Sequence, residues 1–218
     1  FAVILSWMMY YTMDVSPFEI NGEYILLIIK EVMVGLFVGL LAYIILSAIQ
    51  IAGGFIDFQM GFAIANVIDP QTGAQSPLIG QFLNIIALLL LLALNGHHLL
   101  LDGIFYSYQF IPMETTWLAF GQENYVEFIM KTFAGVFAVA FQMSIPIVAT
   151  LFLVDIALGI TARTVPQLNI FVVGFPIKIG VTFIVLLVMM GVLLAVMQKV
   201  FEMMIIAMRD LMIILGGG

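Results

Sequence analysis

Apolar residues in this chain run in long blocks instead of alternating with polar ones. Residues 25–56 form a nearly continuous apolar stretch, with Lys30 and Glu31 near its start. Residues 78–101 form a second, with no charge at all over residues 85–94. Residues 128–158 form a third and residues 179–200 a fourth. A helix rises 1.5 Å per residue, so the first stretch reaches roughly 48 Å, against the ~30 Å hydrocarbon core of a bilayer. It is expected to tilt, bend or extend beyond the membrane. The fourth is a clean spanning length. Residues 201–215 stay apolar but carry Glu202, Arg209 and Asp210. With Lys199, these charges suit an interfacial or partner-facing helix.

The pattern predicts an all-α integral membrane helical protein with long broken helices and two apolar inserted loops. Composition sharpens it. Of 218 residues 64% are hydrophobic and only 9% charged, against about 25% charged in a typical soluble domain. No soluble fold of this length hides so much apolar surface, so the excess faces lipid or other subunits. The whole of 1–218 reads as a single membrane domain. It opens inside an apolar run, residues 1–11, read as the end of a transmembrane helix whose start is missing.

The net charge of -7, with six scattered basic residues, argues against nucleic acid as a partner. No cysteine is present, so thiolate metal sites are not expected. The acidic loops at 14–23 and 114–127 lack Lys and Arg, whereas 157–178 carries Arg163 and Lys178. The positive-inside rule places the first two outside and the third in the cytoplasm.

Small residues recur at helical spacing: Gly35 with Gly39, Ala48 with Ala52, Gly61 with Ala65. Such pairs let helix backbones approach closely, within one subunit or between subunits.

The most distinctive stretch is GGFIDFQMGFAIANVIDPQTGAQSP, residues 53–77. Gly53 and Gly54 loosen a helix, and Pro70, Gly73 and Pro77 interrupt one. Yet Met60, Phe62, Ile64 and Val67 keep the segment apolar. Irregular backbone at membrane depth occurs where it is buried in protein or lines a cavity. A plug-like loop over 57–77 is one reading, with Met and Phe as deformable seals. A packed hairpin turn is the other. Asp57 and Asp69 flank it. Asp69, before Pro70, suits a turn. Asp57 is an ionisable group in apolar surroundings, a candidate polar interface.

Residues 166–176 make a second short apolar strip, bounded by Pro166 and Pro176. It reads as a hairpin loop over 163–178, with Gln167 and Asn169 meeting bent backbone groups. Asp155 and Arg163 stand about two helical turns apart, close enough to pair with each other or with a partner subunit. Gln142, Ser144 and Pro146 suggest a kink. His97 and His98 are adjacent, so they do not form an i, i+4 metal pair. Neither hydrolase nor nucleotide-binding signatures occur, and no cofactor or enzyme activity is expected. A solute or ion transporter, an intramembrane enzyme using Asp57 and Asp155, and a non-gating assembly scaffold are the rival classes.

Three motifs carry a resemblance. QMGFAIANVIDPQTGAQSPLIGQF (59–82), ALNGHHLLLDG (93–103) and ARTVPQLNIFVVGFPIKI (162–179) are similar, in order and spacing, to hallmarks of the FliR family of type III secretion. The resemblance covers the chain from that family's second helix onward. It implies a subunit of the flagellar export gate, assembled with FliP and FliQ and associated with FlhB and FlhA. It implies a place in the bacterial inner membrane, at the flagellar basal body, and unfolded flagellar proteins as cargo. It also implies that the segment matching 61–76 plugs the closed channel. Met60, Phe62, Ile64, Val67, Asp69 and Pro70 are then the gate candidates.

Overall fold

The structure, a computed structural model, describes residues 2–10, 22–62, 77–113, 123–165, 167 and 169–216. The described residues are almost all helical, without a strand. In chain order the helices are α1 (Ala2–Tyr10), α2 (Gly22–Met60), α3 (Leu78–Ala93), α4 (Gly96–Phe110), α5 (Glu123–Thr164) and α6 (Ile170–Gly216). The all-α fold class is therefore the observed one.

Helix α2 is the hub, packing on α3, α5 and α6. Its buried face is Ile45, Ala48, Ile49, Ala52, Ile56 and Met60, spaced three and four apart. The same core takes Val136, Ala140, Met143, Ile147 and Leu151 from α5, and Leu193, Met197, Val200 and Met204 from α6. Both series keep the same three-and-four spacing, so each helix lays one stripe into the core.

The outer faces are as apolar as the inner ones. Leu187 and Val188 of α6 are 74% and 77% exposed, and Phe137, Phe152 and Leu153 of α5 also face outward. Among the described residues, three helices, Gly22–Met60, Tyr125–Thr164 and Val172–Gly216, are long and apolar enough to cross a membrane. The bent pair α3–α4 adds a fourth span if its two helices count as one. At 47 residues α6 is about 70 Å long, more than twice a bilayer core.

Several boundaries differ from the sequence expectation, each for a physical reason. Helix α2 does not loosen at Gly53-Gly54. It continues through Asp57 to Met60, because the absence of a side chain at Gly53 lets α3 lie against its backbone. The apolar block 78–101 is not one straight helix. It turns by 72° at Asn95, which takes a left-handed conformation (φ 55°) that Asn tolerates better than most residues. Helix α5 runs through Pro146, and Thr150 Oγ1 donates to the Pro146 carbonyl at 2.7 Å.

The 163–178 hairpin is shorter than expected. Only residues 165–169 separate α5 from α6, and α6 passes through Pro176. A helix satisfies its own backbone groups in apolar surroundings, which an apolar loop does not. One bond lost at Pro176 costs less than leaving a whole strip unpaired. The blocks 179–200 and 201–215 are likewise one helix, with Lys199, Glu202 and Asp210 exposed on it.

The small-residue pairs divide. Ala48 and Ala52 are fully buried in the core. Gly35 and Gly39 are exposed, and an added Cβ at either meets no atom within 4 Å. Ala65 lies outside the described residues.

Candidate functional site

The end of α2 gathers most of the polar chemistry in the bundle. Asp57, 5% exposed, sits one turn beyond the Gly53 crossing. Its Oδ2 accepts hydrogen bonds from the backbone N–H of Ile79 at 2.9 Å and of Gly80 at 3.4 Å. The first N–H groups of a helix have no partner within it. Asp57 supplies that partner to α3 from another helix, and its charge faces the positive end of the α3 dipole. Within the chain, the partners of this candidate polar-interface residue are backbone amides.

Two residues on, Gln59 enters a three-helix polar cluster. Its side-chain Nε2 donates to Asp155 Oδ2 at 3.0 Å. Asp155 Oδ1 pairs with Lys178 Nζ at 2.5 Å. Lys178 Nζ also donates to the Gln59 carbonyl at 3.2 Å. Gln59 belongs to α2, Asp155 to α5 and Lys178 to α6, so the cluster ties the three longest helices together. Of the two alternatives for Asp155 and Arg163, they do not pair with each other within the chain: Lys178 takes the Asp155 carboxylate, and Arg163 is exposed.

Helix α2 stops at Gly61, whose φ of +92° belongs to the region glycine enters most freely. Its N–H donates to the Phe58 carbonyl at 3.1 Å. Phe62 then sets its ring edge-on to Phe175 of α6, with centroids 5.6 Å apart. A cavity of about 260 Å³ adjoins this corner, lined by Met60, Gly61, Leu158, Gly174, Phe175 and the Asp155–Lys178 pair among others.

Of the gate candidates, Met60 is fully buried at the end of α2 and Phe62 is half-buried just past it. Ile64, Val67, Asp69 and Pro70 lie outside the described residues. Of the polar candidates, Asp57 and Asp155 are bonded within the chain, whereas Gln167 and Asn169 are exposed. The Asn169 carbonyl accepts the N–H groups of Val172 and Val173, at 3.1 and 3.3 Å, and so starts α6.

Sequence reading missed a second polar joint. Lys30, 4% exposed, donates from Nζ to the carbonyls of Pro112 at 2.9 Å and Met113 at 3.4 Å. It also lies 2.9 Å from Glu31 Oε1, and the Tyr108 hydroxyl bonds to Glu31. A lone lysine in an apolar run is a signal for such a joint. Glu31 stands beside it in the sequence, but its long-range partners are main-chain carbonyls, which leave no mark there. The adjacent His97 and His98 have ring centroids 4.2 Å apart.

The sequence profile of the bacterial export proteins, family 1, matches residues 1–204. The chain is 57% identical over 217 residues to the flagellar biosynthetic protein FliR of Bacillus subtilis (strain 168), across 99% of this chain and 84% of that protein. It is 30% identical over 157 residues to FliR of Escherichia coli (strain K12), across 71% of this chain and 58% of that one. Over 163 residues it is 29% identical to Yop proteins translocation protein T of Yersinia pestis, across 75% and 62% of the two chains.

Proposed function

The chain belongs to the bacterial export proteins, family 1, as a FliR-type membrane protein of flagellar type III export, and from that premise we propose that it forms part of a protein-conducting gate with FliP- and FliQ-type subunits. FlhB- and FlhA-type proteins associate with the gate, and unfolded flagellar proteins pass through it. The gate belongs to the inner membrane at the flagellar basal body. Its work is steric, not catalytic: apolar side chains close a path and part for a polypeptide.

The observation that carries this reading is the apolar outer surface. Among the described residues, large apolar side chains face outward along α2, α5 and α6, Leu36, Leu153 and Leu187 among them. These faces are lined by Phe, Leu, Ile and Val. Such faces call for other apolar helices or lipid. Partner subunits built of similar helices meet that need.

Met60 and Phe62 stand at the root of the proposed seal, and the segment 63–76 completes it, with Ile64, Val67, Asp69 and Pro70 as further members. The subunit reading is tested by purifying the tagged full chain from native flagellated membranes. Recovery of FliP- and FliQ-type proteins in fixed proportion is the expected result. Recovery of the chain by itself, under conditions that keep other membrane complexes whole, overturns the reading.

A further inference from the structure

The last carbonyls of a helix have no donor within it. At the end of α2 the Gln59 carbonyl is met by the Lys178 ammonium at 3.2 Å, a cation where the helix dipole favours one. Lys178 is itself held by Asp155 at 2.5 Å, and Asp155 accepts from the Gln59 side chain at 3.0 Å. The ring is closed: Gln59 main chain to Lys178, Lys178 to Asp155, Asp155 back to the Gln59 side chain.

Two residues further, Gly61 turns the chain at φ +92° and Phe62 contacts Phe175. Phe175 lies three residues before Lys178, so ring and ammonium project from the same face of α6. Charge and aromatic contact therefore grip the α2 terminus from one side. The adjoining cavity of about 260 Å³ offers room into which an ungripped end can relax.

We propose that Lys178 is a positioning residue: held by Asp155, it locks the last turn of α2 and sets the direction in which the chain leaves that helix at Gly61. The lock is a property of this corner alone. Only its consequence for export rests on the gate reading.

The test uses the assembled complex in native membranes. The chain has no cysteine, so Met60→Cys places its one thiol at a fully buried position in the last turn of α2. Modification by a water-soluble maleimide is slow in the otherwise native chain. Adding Lys178→Met raises the rate about tenfold or more, as expected when a local opening loses its main restraint. Asp155→Asn also raises it, and Lys178→Arg brings it back toward the native rate. An unchanged rate in both Lys178→Met and Asp155→Asn overturns the lock. A raised rate that Lys178→Arg fails to lower overturns it too, in favour of simple packing. Should Lys178→Met not assemble, Asp155→Asn, which keeps the side-chain shape, decides in the same way. Ion leak is followed in parallel with Met60 intact. Faster labelling with no leak in Lys178→Met upholds the lock and counts against the gate reading. Leak without faster labelling does the reverse.

Discussion

Gly53 of α2 and Gly80 of α3 bring two helix backbones into contact: a Cβ placed on Gly53 falls 2.2 Å from the Gly80 Cα. The crossing also explains Asp57. One turn beyond Gly53, its carboxylate arrives at the free amides of α3. The close approach and the cap are one device, and both sit at the base of the segment that follows α2.

Gly53→Ala is expected to destabilise the chain by about 3 kcal/mol or more, the upper range for overpacking, because the obstacle is backbone. Gly35→Ala and Gly39→Ala are expected to stabilise the isolated chain by about 0.5–1 kcal/mol each, since both lie inside α2 and nothing lies near either position. Thermal unfolding in detergent checks the contrast. Equal losses at all three positions would contradict the crossing.

Asp57→Asn retains an oxygen acceptor for the Ile79 and Gly80 amides and should cost under about 1 kcal/mol. Asp57→Leu strands both donors and should cost about 1–3 kcal/mol. The same melting measurement separates them. Indistinguishable variants would show that the cap adds nothing to stability.

Much of the architecture was legible from the chain. Long apolar blocks marked α2, α5 and α6, because membrane helices need such runs and little else competes for them. What escaped notice shares a cause. The long-range partners of Asp57 and Lys30 are main-chain groups, at Ile79 and Gly80 for the first and at Pro112 and Met113 for the second. A side chain betrays that it needs a partner, but a backbone amide is the same at every position. Lys178 was read as a topology signal because basic residues near a loop usually are. Its ion pair with Asp155 depends on the α5–α6 turn being only five residues long, which Pro166 and Pro176 disguised. The gate candidates from Ile64 to Pro70 lie outside the described residues, so the structure bears on Met60 and Phe62 alone.

Asn95 holds the 72° corner between α3 and α4 with positive φ. Asn95→Gly should leave stability within about 0.5 kcal/mol, whereas Asn95→Val should cost about 1–2 kcal/mol, the steric penalty of a left-handed residue with a Cβ branch. Unfolding midpoints of the two variants test this. A tolerated valine would mean that the corner is not set by Asn95.

The central claim is that residues just past α2 close a conducting path. Deleting residues 61–74 removes the proposed seal and leaves α2, α3 and the core that joins them. The decisive measurement is the rate of ion leak across membranes carrying the assembled complex, with assembly verified by co-purification of its partners. A complex that assembles normally and leaks is the expected result. Normal assembly with native tightness would contradict it.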